Sequence, residues 1–153
     1  MIYLVRHAKA GDRLISGDDS LRPLSKAGWI QANALVEPLR DAGAGSALLS
    51  SPFLRCRQTL EPFAAELDVE IISHECLGEG QPLSAMLKLL ADQPDGAVLC
   101  SHGDMIPDAL SALQRRGCQF IGEPNWKKGS VWVIDRDAVG VALSAHSWPP
   151  PIC

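Results

Sequence analysis

Four short runs read as strands: Ile2-Tyr3-Leu4-Val5, Ala47-Leu48-Leu49, Val69-Glu70-Ile71-Ile72 and Ala97-Val98-Leu99-Cys100. Each gives way to polar or turn-forming residues and then to a stretch with helical character. The first, rich in β-branched and aromatic types, reads as buried. Strand and helix alternate four times, so the expected fold is α/β, a three-layer sandwich with a mostly parallel central sheet and helices on both faces. Two further runs, Ser130-Val131-Trp132-Val133-Ile134 and Val139-Gly140-Val141-Ala142-Leu143, lie close enough to pair as an antiparallel C-terminal hairpin.

The helices can be placed from their stop signals and apolar spacing. Ser25 caps the first, which runs to about Ala42, is closed by Gly43 and carries Ile30, Ala34, Leu35, Leu39 and Ala42; Pro38 predicts a kink or break near Glu37. The second runs from about Phe53 to Leu67, with Pro62 dividing it. The third starts at Pro82 and buries Leu83, Met86, Leu87 and Leu90. The fourth runs from about Asp104 to Arg116. Residues 8–24 and 118–128 are expected as loops, and the tail from Trp148 to Pro151 as extended chain.

With 153 residues, 46% of them hydrophobic, the chain fits a single domain spanning 1–153. A net charge of −4 argues against binding a nucleic acid polymer. No apolar run approaches the roughly 18 residues of a membrane span, and there is no charged leader, so the expectation is a cytoplasmic protein without membrane association. Cys56, Cys76, Cys100, Cys118 and Cys153 form no CxxC pair and read as reduced, packing thiols.

In such sheets, ligands bind beyond the carboxyl ends of the strands. There the sequence collects its polar groups: Arg6 and His7 end the first strand, Ser51 and Arg55 follow the second, Glu79 lies after the third, and Ser101-His102-Gly103 closes the fourth. Two arginines, two histidines and a carboxylate thus converge on one edge.

Three segments carry a family resemblance. Leu4-Val5-Arg6-His7-Ala8, Ser51-Pro52-Phe53-Leu54-Arg55-Cys56-Arg57-Gln58-Thr59 and Ser101-His102-Gly103 resemble the signatures of the histidine phosphatase superfamily, also called phosphoglycerate mutase-like. Arg22-Pro23-Leu24-Ser25 with Gly28 and Gln31-Ala32 is similar to its first loop and helix. Ala8 stands where many members have glycine, a variation of the short branch that includes phosphohistidine phosphatases. The chain is also similar to phosphatase domains fused to Nudix hydrolases.

The chemistry can be argued from the side chains as well. A phosphate monoester repels an incoming nucleophile, so fixed positive charge must surround its oxygens. Arg6 and Arg55 offer planar forks that match those oxygens, and protonated His102 adds a third donor. Neutral His7 can attack phosphorus and form a phosphoramidate, splitting one hard displacement into two easier steps. The resemblance implies the same roles. For the general acid, Glu75 and Glu79 both lie in the right loop; Leu77-Gly78-Glu79 fits the family's Leu-x-Glu pattern, which favours Glu79. His74 and His146 read as locally satisfied, and Lys127 and Lys128 as either a charged turn or a rim facing substrate. No ligand spacing suggests zinc, so neither metal nor cofactor is expected.

Mutases of this family usually insert a long cover between the acid loop and the second histidine. Here one helix separates Glu79 from His102, which favours water as acceptor and thus a phosphatase. The expected partner is a phosphorylated small molecule, a nucleotide or a phosphohistidine protein. A mutase-type phosphotransferase and a non-catalytic binder of phosphorylated ligands are the alternatives.

Overall fold

A computed structural model describes residues 1–13 and 17–151. In chain order the elements are β1 (Ile2–Arg6), α1 (Lys26–Ala34), α2 (Val36–Asp41), β2 (Leu48–Ser50), α3 (Leu54–Leu67), β3 (Ile71–Ser73), α4 (Leu83–Asp92), β4 (Val98–Ser101), α5 (Met105–Arg115), β5 (Gln119–Phe120), β6 (Val131–Arg136) and β7 (Ala142–Trp148). One seven-stranded sheet has the order β3-β2-β4-β1-β6-β7-β5. Pairing is parallel from β3 through β1, and antiparallel on both sides of β6. The fold is α/β and mostly parallel, with an antiparallel β6–β7 hairpin, as the alternation of elements predicts.

Side chains of successive strand residues leave opposite faces, and this splits the core in two. Ile2, Leu4, Leu49, Leu99, Trp132 and Ile134 pack with α4 and α5 through residues such as Met86, Leu90, Ile106 and Leu110. Tyr3, Val5, Leu48, Val98, Cys100, Val131 and Val133 pack with α2 and α3 through Leu39, Leu60 and Phe63. No helix among the described residues is long and apolar enough to cross a membrane.

The first helix breaks at Leu35, beside the kink or break expected near Glu37, which leaves Pro38 in the first turn of α2, where a missing amide costs nothing. Other local expectations are corrected. Ile30 is exposed rather than inward; α1 buries Gly28, Gln31 and Ala32. Pro62 does not divide α3, which stays continuous from Leu54 to Leu67. A proline inside a helix costs about 3 kcal/mol, and burial of Leu60 and Phe63, each contributing roughly 1.5–3 kcal/mol, offsets it. The last strand begins at Ala142, not Val139, because Asp137 Oδ1 accepts from the amides of Val139 (3.0 Å) and Val141 (2.9 Å) and takes them out of the ladder. That strand absorbs Trp148 from the expected tail, and the expected loop 118–128 contains β5.

Candidate active site

The carboxyl edge of β1 and β4 delivers the first two groups. His7 follows β1, and its backbone amide donates to Ser101 O across to β4. His7 Nδ1 lies 2.8 Å from Ala8 O. A carbonyl only accepts, so Nδ1 carries the hydrogen and the neutral ring has its lone pair on Nε2. Burial drives the His7 imidazole from its usual 6.5 down to about 3; the Ala8 hydrogen bond works against this, while His102, Arg55 and Arg6 add to it by charge repulsion.

Arg6, on the last residue of β1, donates from Nη1 to Trp126 O at 2.7 Å. Its guanidinium lies flat against Gly103: a Cβ there would stand 2.6 Å from Cζ and Nη2. Arg55 comes from the first turn of α3 and is fully buried. It donates from Nη1 to Asp19 O (2.9 Å) and from Nη2 to Glu79 Oε1 (2.6 Å), and it sits 4.9 Å above the Phe53 ring. Thr59, one helical turn further, donates to Arg55 O and accepts the amide of Ala8, so α3 and the β1 exit are tied together.

His102 closes β4, with Nε2 2.8 Å from Ser51 Oγ and its ring 5.5 Å from that of His7. Its Nδ1 lies 3.3 Å from Glu79 Oε1. The loop carrying Glu79 is held from both sides, by Ser101 Oγ donating to Leu77 O (2.6 Å) and by Gly80 N donating to Asp104 Oδ2 (3.0 Å). Glu75 sits exposed on a 3-10 turn, and among the described residues its carboxylate makes no contact with Arg6, Arg55 or His102. Among the described residues, five buried side-chain polar atoms lack a partner, and three belong to Arg6, Arg55 and His102. Such groups persist where function requires them.

The structure therefore brings Arg6, His7, Arg55, Glu79 and His102 to one place and leaves Glu75 aside. It also adds Asp19, Arg13 and Asp104, which the sequence reading passed over, and it puts Lys128 on the rim, one of the two places expected for it. Asp19 contacts both Arg55 (3.2 Å) and Arg22 (2.9 Å), and Arg13, Arg22, Asp104 and Lys128 help line an open cleft of about 360 Å³ with Arg6, His7 and Glu79. Burial, then the charges of Arg6, Arg22, Arg55 and Arg13, hold the Lys128 ammonium below its usual range. Residues 8–24, expected as a plain surface loop, supply Asp19 and a buried Arg22; the only hint was Arg22 within the quoted loop motif. Leu14, Ile15 and Ser16 of that expected loop lie outside the described residues, as does Cys153.

Comparison with known proteins gives the family and the fold. The family profile of the histidine phosphatase superfamily (branch 1) matches residues 2–82, more than half of the chain, and the chain belongs to that superfamily. An 8-oxo-(d)GTP phosphatase of Mycolicibacterium smegmatis is 37% identical over 157 aligned positions, covering 98% of this chain and 48% of that protein. The chain thus spans less than half the length of this curated relative. Among solved structures, the protein histidine phosphatase SixA complexed with tungstate superposes with a TM-score of 0.74 at 20% identity, covering 98% of this chain and 96% of that one. A putative phosphohistidine phosphatase SixA from Agrobacterium tumefaciens gives 0.72 at 24% identity, covering 88% and 90%. At these identities the two structures speak for the fold alone.

Proposed function

We propose that the chain is a phosphatase that hydrolyses a phosphomonoester or phosphoramidate through a covalent phosphohistidine on His7. The observation that carries this reading is the tautomer: Nδ1–H is committed to Ala8 O, which leaves the Nε2 lone pair for attack. Arg6, Arg55 and His102 bind the phosphoryl oxygens and stabilise the charge that spreads over them in the transition state. His7 Nε2 forms a bond to phosphorus as the bond to the leaving group breaks. Glu79 protonates the leaving atom, then takes a proton from the water that releases phosphate. Only α4 and β4 intervene between Glu79 and His102, so the cleft has little cover and water is the acceptor.

The substrate in this reading is a phosphorylated small molecule, a nucleotide or a phosphohistidine protein. The sequence similarity to an 8-oxo-(d)GTP phosphatase supports the nucleotide class. In this reading Arg6, Arg55 and His102 carry the positive charge that the phosphoryl group needs and no metal ion takes part, so a chelator should leave the rate unchanged.

The test is trapping. Rapid quenching during turnover should give a chain heavier by one phosphoryl group, stable in alkali and labile in acid, with the modification mapped to His7. His7→Ala should lose both the adduct and at least a thousandfold in kcat. Retained turnover, or an adduct elsewhere, sinks the assignment. Glu79→Gln should slow turnover about a hundredfold or more, and Glu75→Gln should not; the reverse ranking would move the acid to Glu75.

A further inference from the structure

A second hollow, of about 540 Å³, adjoins the His7 cleft and is lined by Arg6, Lys9, Gln31, Asn125, Lys127, Lys128 and Pro150. The two hollows share Arg6 and Lys128. Among the described residues, Lys9, Arg13, Lys127 and Lys128 make no ion pair with a carboxylate, although the chain as a whole is negative. Burial, and then repulsion from Arg6, Arg22, Arg55 and Arg13, lowers the Lys128 titration, so Lys128 stands where positive charge is already concentrated.

The backbone that carries the lysines is held in place by the fold. Gln31, almost fully buried, accepts the Lys9 amide at Oε1 (3.0 Å) and donates from Nε2 to Lys128 O (3.3 Å), so one side chain ties the two lysine-bearing loops together. Gly129 N donates to Arg6 O and His7 O, and its φ of +87° lets the chain turn there. A monoester phosphate on His7 leaves Lys9 and Lys127 with no counterpart.

We infer that the Lys9–Lys127–Lys128 hollow binds the non-transferred phosphate of a substrate carrying at least two linked phosphates, such as a nucleoside diphosphate, with its terminal phosphate presented to His7. This deepens the phosphatase reading and rests on it. The His7 Nε2 pair bonds to the terminal phosphorus, and the bond to the bridging oxygen breaks with its electron pair on the departing phosphate. Water then adds hydroxide to phosphorus and a proton to Glu79, and the N–P pair returns to His7. A departing phosphate is a better leaving group than an alkoxide and needs less help from Glu79.

The experiment compares kcat/KM for GDP, pyrophosphate, GMP and p-nitrophenyl phosphate in the wild type and in a Lys9→Ala/Lys127→Ala double variant. The expected result is a wild-type preference of at least tenfold for GDP over GMP, and a fall of that ratio by at least tenfold in the variant. Pyrophosphate matching GDP would mean that the phosphate chain alone is read; GDP well ahead would mean that the nucleoside is read too. Equal rates for GDP and GMP, or equal losses on both in the variant, overturn the inference. Calorimetric titration of His7→Ala with GDP and GMP makes the same comparison without turnover, with tighter GDP expected and equal affinity fatal. Selective GDP binding by a chain that hydrolyses nothing would refute the phosphatase and leave the subsite standing.

Discussion

Gly103 shows how narrowly the Arg6 guanidinium is placed. Its backbone is not in the left-handed region, so alanine strains nothing locally, yet the new Cβ would fall on the Arg6 guanidinium. Gly103→Ala should keep the fold and its melting temperature while pushing Arg6 off Trp126 O. Losing one well-placed donor costs roughly 3–4 kcal/mol of barrier, so kcat should drop about a hundredfold to a thousandfold. An unchanged kcat would show that Arg6 lies outside the reaction. His7 adds a pH effect. Its pKa is about 3 in the folded chain, against the ordinary 6.5 when unfolded. As pH falls from 6.5 towards 3, the unfolded chain takes up a proton that the folded one refuses, so stability is full above 6.5 and declines below it. His7→Asn should reduce the loss of urea midpoint between about pH 7 and pH 5; the same loss in the variant would place the titrating group elsewhere. These residues differed in how legible they were. Arg6, His7, Arg55 and His102 sit immediately after strands or at a helix start, so local pattern places them. Asp19, Arg13 and the Trp126 carbonyl reach the site through loops whose path is set by distant contacts, and no spacing encodes that.

α1 lies against the chain leaving β1 so closely that a Cβ on Gly28 would stand 1.9 Å from Lys9 O, and that atom is backbone. Gly28→Ala should therefore lower the unfolding free energy by about 1–3 kcal/mol and loosen the Lys9 loop, measurable as a lower denaturant midpoint. A midpoint equal to wild type would mean that α1 can shift freely. Where sequence reading of the helices and strands failed, packing outweighed propensity. Pro62 signals a break, but α3 buries Arg55, Cys56, Thr59, Leu60, Phe63 and Ala64 along one stripe and stays whole. In the hairpin, Val139 and Val141 look like strand residues, and the Asp137 carboxylate claims their amides for a turn. Such competition between a side chain and the backbone ladder is invisible to an apolar pattern.

The chain as a whole carries a net charge of −4 while its two hollows gather Arg6, Lys9, Arg13, Lys127 and Lys128, none of which makes an ion pair with a carboxylate among the described residues. A distribution of this kind draws anions to one place on an otherwise repelling surface. Rising salt should therefore depress kcat/KM for a dianionic or more highly charged substrate several-fold between about 0.05 and 0.3 M, with little change in kcat, because the screening length falls from roughly 14 to about 6 Å over that range. Flat salt dependence would show that the field contributes nothing to capture. The reversed direction of β6 has a consequence of its own. A strand running against β1 brings the loop before it, not the loop after it, to the carboxyl edge of β1, and so Asn125, Lys127 and Lys128 line the hollows there without belonging to any crossover between parallel strands. The same loop holds Arg6 through Trp126 O and is tied back to the end of β1 by Gly129 N. A change of length in it would therefore reach the Arg6 guanidinium and the lysine hollow at once, with every helix left in register.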